Sequence, residues 1–220
     1  MDSVQLRRRF IAVLLPATVA VGLVGLVSPQ PHAVLGSLTL LCGTALLAGA
    51  IWIAERRHPH LRNLVEKKSY QITLRSVLAT AGLTGLLFLA ALFAAATVIG
   101  VVTAVWGYEP VSFQVFAHVV DRLALLLDLS LVPLLVGYIG VAAAMGTGFW
   151  VLYPYLPVED EELAGPVSFA ATWAYLLAVV AVFRPVPVAE PAALAFDAAV
   201  AAAWGHVFAA AYEDVERYVP

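Results

Sequence analysis

Charge is what this chain has least of. Only 12% of its 220 residues are Asp, Glu, Lys or Arg, against ~25% in an ordinary soluble domain. A water-facing surface cannot be coated with so few charges, which excludes a soluble globular enzyme. Cysteine is nearly absent too. Cys42 stands alone inside an apolar run, so neither a disulfide framework nor a cysteine-based metal knuckle is available within one chain; it reads as a small packing residue. Lysine is reduced to Lys67 and Lys68 beside ten arginines, a bias that, with heavy Ala and Val usage, suggests GC-rich coding and a prokaryotic source. The net charge of -3 and the lack of a basic folded face predict no nucleic-acid partner. H-E-x-x-H, G-x-S-x-G, G-x-x-x-x-G-K-[ST] and C-x-x-C are all missing, so no cofactor is expected and no enzyme signature is present.

What is abundant is apolar. Hydrophobic residues make up 62% of the chain and the mean hydropathy is +0.91. Six stretches, about 10–28, 33–54, 76–105, 123–152, 167–183 and 191–212, are near or above the ~18 residues of a spanning candidate. Strands of a membrane barrel would alternate apolar and polar residues, whereas Leu83 to Val102 is interrupted only by small or hydroxyl residues. The expectation is an all-α polytopic integral membrane helix bundle, one transmembrane domain over 1–220. Its first partner is the lipid bilayer; other membrane subunits or further copies of the chain are the remaining candidates.

The first stretch follows Arg7, Arg8 and Arg9 and resembles the start of a signal peptide. Its apolar run from Phe10 to Val27 exceeds the ~7–15 residues of an h-region and lacks a clean small-residue cleavage site, so a retained anchor helix is expected. With the N-terminus cytoplasmic, ten of the twelve basic residues fall on the inner side, leaving only Arg122 and Arg184 outside. The positive-inside rule then predicts six spans in a plasma membrane with both termini cytoplasmic. Trp106 and Tyr108 mark an outer boundary, and Trp52, Trp150, Tyr153 and Tyr155 mark inner ones.

Two inner loops differ in character. Residues 55–75 form a basic linker whose Leu61, Leu64 and Val65 are expected on the membrane surface, with Arg62, Lys67 and Lys68 toward headgroups. Glu159, Asp160, Glu161 and Glu162 precede a helix expected to start near residue 163 or Pro166, where acids complement the N-terminal dipole. Pro16 and Pro133 interrupt spans one and four, and Gly137, Gly140, Gly146 and Gly148 offer close helix approach. A G-L-x-G-L pattern recurs at Gly22 and Gly82, too short to establish a repeat.

Within the six stretches the only carboxylates are Asp128 and Asp197. An intramembrane carboxylate costs at least ~2.5–3.5 kcal/mol near a helix centre and usually faces the bundle interior or a water-filled cavity. Both are expected in the outer leaflet. Taken as one helix, Gln114, His118, Asp121, Arg122 and Asp128 share a polar sector, which reads either as an interfacial helix in the headgroups or as a polar vestibule. In the second case Asp128 and Asp197 bind a proton or cation, with Arg184 or Arg122 as counter-charge. His206 lies nine residues from Asp197, on the opposite face of one helix, as a packing residue or a proton relay. Three functions remain open: a small transporter or permease-like component, a structural or assembly subunit of a membrane complex, and a membrane-embedded enzyme using His118, Asp121 and Asp128. No metal is expected, because His118 and Asp121 fall short of the three protein ligands of catalytic zinc.

Overall fold

The computed structural model describes residues 3–57, 59–106, 131–156, 161–183 and 191–218. Apart from short connections at 27–30, 72–73 and 156 they are helical, with no strand among the described residues. The helices are α1 (Ser3–Leu26), α2 (Pro31–Trp52), α3 (Pro59–Gln71), α4 (Leu74–Trp106), α5 (Leu131–Leu152), α6 (Glu161–Phe183) and α7 (Pro191–Tyr218). A π-helical turn, Ile53–Arg57, extends α2, and a 3-10 turn, Tyr153–Tyr155, closes α5. Four helical segments, Val4–Leu26, Pro31–Arg56, Leu74–Ala91 and Glu162–Phe183, are long and apolar enough to cross a membrane.

The distribution of residues is that of a lipid-solvated bundle. Val13, Val24, Leu46, Leu87, Val98 and Ile139 lie on the outside, each at least 60% exposed, whereas Ser37, Ser76, Thr80, Thr84, Ser168 and Thr172 are buried. Large aliphatic side chains turned outward on four of the helices are what a lipid solvent leaves exposed. The buried threonines are satisfied by their own helices: Thr80 donates to the Ser76 carbonyl at 2.8 Å, Thr84 to Thr80 at 2.7 Å and Thr172 to Ser168 at 2.7 Å, whereas the Ser37 and Ser168 hydroxyls have no partner among the described residues. Returning each proton to the i−4 carbonyl keeps the polar group paired within one segment, as hydrocarbon requires.

α4, α5, α6 and α7 pack in a closed ring, each against its two neighbours, and the α1–α2 hairpin leans on the far face of α6. Inside the ring Phe149, Phe169 and Phe208 form an aromatic centre with centroid spacings of 4.8 Å for Phe149–Phe208 and 5.0 Å for Phe169–Phe208. Tyr212 and Tyr153 extend it toward one end. Between α4 and α7 the Trp204 indole donates to the Thr84 hydroxyl at 3.0 Å; such interhelical bonds contribute about 0.6 kcal/mol in membrane helices. On the other side Thr18 and Tyr175 share a hydroxyl hydrogen bond of 3.0 Å, and Leu40 packs with Ala178 and Val182.

Small residues set the helix separations, though not at every position expected. A Cβ at Gly36 would lie 2.6 Å from the Ala178 carbonyl oxygen, and one at Gly146 would meet Ala81 at 3.0 Å. Gly148 abuts Thr172, and Gly165 and Gly205 place the backbones of α6 and α7 in direct contact. A Cβ at Gly137, Gly140 or Gly82 would meet nothing within 4 Å among the described residues. In the G-L-x-G-L pattern a Cβ at Gly22, Gly25 or Gly85 would run into a neighbouring helix, whereas Gly82 meets its neighbour through its carbonyl, which accepts a hydrogen bond from the Tyr138 hydroxyl.

Several boundaries lie beyond the apolar runs. α1 begins at Ser3, α6 at Glu161, and α7 continues to Tyr218, because polar and charged residues outside the hydrocarbon can still continue a helix. The interior prolines are Pro16 in α1 and Pro166 in α6; Pro133 is the third residue of α5 as described. α4 runs unbroken for 33 residues, about 50 Å, longer than the ~30 Å hydrocarbon core.

Candidate functional site

Of the residues expected to form the outer polar site, Asp128, Arg122, His118, Asp121 and Arg184 lie outside the described residues. Asp197 is described. It occupies the second turn of α7, half-buried, and is engaged by neighbouring groups. His206 is exposed on the same helix, on a different face from the half-buried Asp197 as a nine-residue spacing demands. It faces outward rather than into the packed ring. No group of three His, Cys, Asp or Glu side chains able to hold a metal occurs among the described residues.

A second polar site, at the opposite end of the bundle, escapes the sequence reading. The start of α1 meets the end of α2 through an Arg8–Glu55 ion pair of 3.4 Å. The end of α3 meets the turn after α5 through Lys68, whose ammonium donates to the Leu156 carbonyl at 3.0 Å. The end of α7 joins them through Tyr212 and Phe149. The basic residues at the start of α1, after α2, along α3 and at the end of α7 therefore gather at one end of the molecule.

Two of those cations are not on the surface. Arg7 is 2% exposed and Lys68 is 3% exposed. Both stack on rings near the end of α5: the Arg7 guanidinium carbon lies 4.8 Å from the Trp150 ring centroid and the Lys68 ammonium 5.2 Å from that of Tyr153. The C-terminal end of α5 also presents its negative dipole to them. The linker expectation is corrected here for Lys68 and Val65. Residues Pro59–Gln71 form α3, and Val65, Lys68, Ser69 and Ile72, at i, i+3, i+4 and i+7, turn into the bundle. Arg62 and Lys67 remain exposed, and Arg62 pairs with Glu66 along the helix.

Arg7 is buried because it continues the packed stripe of α1, one turn before Ile11 and in line with Thr18. Among the described residues its Nε, Nη1 and Nη2 have no hydrogen-bond partner, and neither has Nε1 of Trp150. Burying an ion costs several kcal/mol even after relaxation, while a desolvated cation–π contact returns about 2 kcal/mol. The ring and the helix dipole offset only part of that cost.

Tyr155 completes the arrangement. Burial pushes its phenol above the ordinary value and the Glu55 carboxylate pushes the same way, while Arg7 and Arg8 pull it back. The folded state thus holds the Tyr155 proton at a pH where an unfolded tyrosine, with its ordinary value of 10.0, has released it. Stability tied to this group is complete below that value and is lost as pH rises through the folded value. The expected outcome is a midpoint of thermal unfolding that falls above pH ~10 less steeply in Tyr155→Phe than in the wild type. Superimposable alkaline limbs would show that Tyr155 is not held neutral.

Comparison with family models, with curated proteins and with solved structures finds no match for this chain.

Proposed function

We propose that the chain is a six-span membrane protein of the permease-like kind, a small transporter component with an outer-leaflet polar site and both termini in the cytoplasm. α5 at 22 residues and α7 at 28 residues are about 33 and 42 Å long, enough to add two crossings to the four apolar helices. The collection of basic residues at one end supports placing that end in the cytoplasm of a cell whose plasma membrane the bundle spans. The observation that carries the functional reading is Asp197: a carboxylate half-buried and engaged by its neighbours within a span-length, Ala-rich helix. A proton or cation shared between Asp197 and Asp128 accounts for keeping two carboxylates in apolar stretches.

The test is proton flux into liposomes reconstituted with the purified protein. Wild-type vesicles are expected to acidify under an imposed potential at least ~10-fold faster than empty ones, and Asp197→Asn and Asp128→Asn to abolish the difference while helical content is retained. Vesicles no leakier than empty ones would contradict the reading for this cation.

An assembly role has its own observation. Gly137 and Gly140 share the outer surface of α5 and meet nothing within 4 Å among the described residues, and small residues facing lipid are where membrane helices approach each other. Gly137→Leu would then reduce the size of the complex isolated from membranes.

A further inference from the structure

We propose that the basic end of the bundle is a binding site for a phosphate-bearing anion, held by the Arg7 guanidinium and the Trp150 indole. The site is independent of the outer carboxylates.

Both groups are buried, both only donate, and neither has an acceptor among the described residues. They come from different helices, α1 and α5, and the guanidinium carbon lies 4.8 Å from the Trp150 ring centroid. A guanidinium carries five N–H donors and an indole one. Water could fill some of them but would leave the charge uncompensated. A single anion satisfies charge and donors together.

Phosphate fits better than carboxylate. The guanidinium fork matches two oxygens of a phosphate, and a tetrahedral anion retains further oxygens for the indole N–H. Lys68, whose ammonium lies 5.2 Å from the ring centroid of Tyr153, three residues further along the chain than Trp150, adds positive potential. Among the described residues no carboxylate pairs with Arg7, and Glu55, the acid that acts on Tyr155, is paired with Arg8 at 3.4 Å.

The place in the fold fits a membrane interface. Arg7 is the fifth residue of α1, about 6 Å along the helix from its start, and its neighbours Leu6 and Phe10 are exposed. A phosphate there belongs either to a lipid headgroup or to a soluble ligand entering from the basic end. The chemistry at Arg7 is the same for both.

The experiment uses the full-length protein purified in an uncharged detergent and follows tryptophan fluorescence and the unfolding midpoint. One arm adds inorganic phosphate at constant ionic strength. The other adds short-chain phosphatidic acid, with the corresponding diacylglycerol as its control. A saturable response to either probe is expected, at least ~30-fold weaker in Arg7→Met, as expected for loss of charged hydrogen bonds. Arg8→Met, which alters an exposed residue already paired with Glu55, should respond as the wild type does. A response to phosphatidic acid alone identifies a headgroup site; a response to inorganic phosphate identifies a soluble ligand. Arg7→Lys keeps the charge but loses the fork, so it too binds more weakly, and it carries the comparison if Arg7→Met does not fold. Wild-type protein that responds to neither probe, or a folded Arg7 variant that binds as tightly as wild type, overturns the proposal.

Discussion

Gly205→Leu is expected to separate α6 from α7 and to abolish the cooperative unfolding transition of the purified protein. A side chain at Gly205 would be driven into the Gly165 backbone, and one at Gly165 into the Gly205 carbonyl, with Ala209 at 3.0 Å beside it. These obstacles are main-chain atoms, so no rotamer change relieves them. Overpacking costs about 1–3 kcal/mol where side chains can yield, and here the whole helix must move. The effect is magnified by the solvent. Lipid tails are as apolar as leucine, so helices associate through close packing rather than through exclusion from water. Among the described residues the pair α6–α7 is the most extensive helix contact, and its loss opens the ring. Gly43→Leu provides the control, because Gly43 has nothing within 4 Å among the described residues; its unfolding midpoint should match that of the wild type. Equal loss in both variants would mean that leucine is harmful for reasons other than the crossing.

Phe208→Ala is the second large effect. Phe208 is fully buried and touches Phe149, Phe169 and Tyr212 at centroid distances of 4.8, 5.0 and 5.9 Å. The truncation leaves a void on the order of 100 Å³, which at ~24 cal/mol per Å³ costs about 2.4 kcal/mol. In a bilayer the usual transfer term is small, because the unfolded helix exposes the ring to lipid rather than to water. The cavity and the lost ring contacts therefore set the size of the loss. It should appear as a lower midpoint in detergent-denaturant titration, with Phe208→Leu intermediate. No change in midpoint would place Phe208 outside the core.

Much of the fold was legible because the bilayer leaves few alternatives. Apolar runs near 18 residues must be helices when backbone groups cannot turn to water; α1, α2, α4, α6 and α7 match five of the six runs read from the sequence to within two residues at their ends or extend beyond them, and α5 covers the part of 123–152 that lies among the described residues. The charged ends were harder. Hydropathy treats Arg7 and Lys68 as solvated loop cations, yet each continues a helical stripe: Arg7 four residues before Ile11, Lys68 three after Val65 and four before Ile72. Extending the 3.6-residue period backward past the apolar boundary would have placed Arg7 inside, whereas Lys68 belongs to α3, which a break at Ile72 and Thr73 separates from the apolar run of α4. The orphaned donors of Arg7 and Trp150 were beyond any single-sequence pattern, since 143 positions separate the two residues. Helix crossings posed the same difficulty. Gly165 and Gly205 look no different in sequence from Gly137 and Gly140, and only the partner across the crossing separates a contact from an open face.

The account depends most on the claim that six helices cross the membrane with the basic end in the cytoplasm. Cys42, exposed on α2, can be replaced by alanine to give a cysteine-free background. Single cysteines are then placed at Ser3, Glu109, Val158, Val186 and Tyr218 and treated with a membrane-impermeant maleimide in intact cells and in inverted vesicles. Six spans predict that Ser3→Cys, Val158→Cys and Tyr218→Cys label only from the cytoplasmic face, and Glu109→Cys and Val186→Cys only from the outer face. Labelling of Val158→Cys from outside, or of Ser3→Cys and Tyr218→Cys on opposite faces, would contradict it.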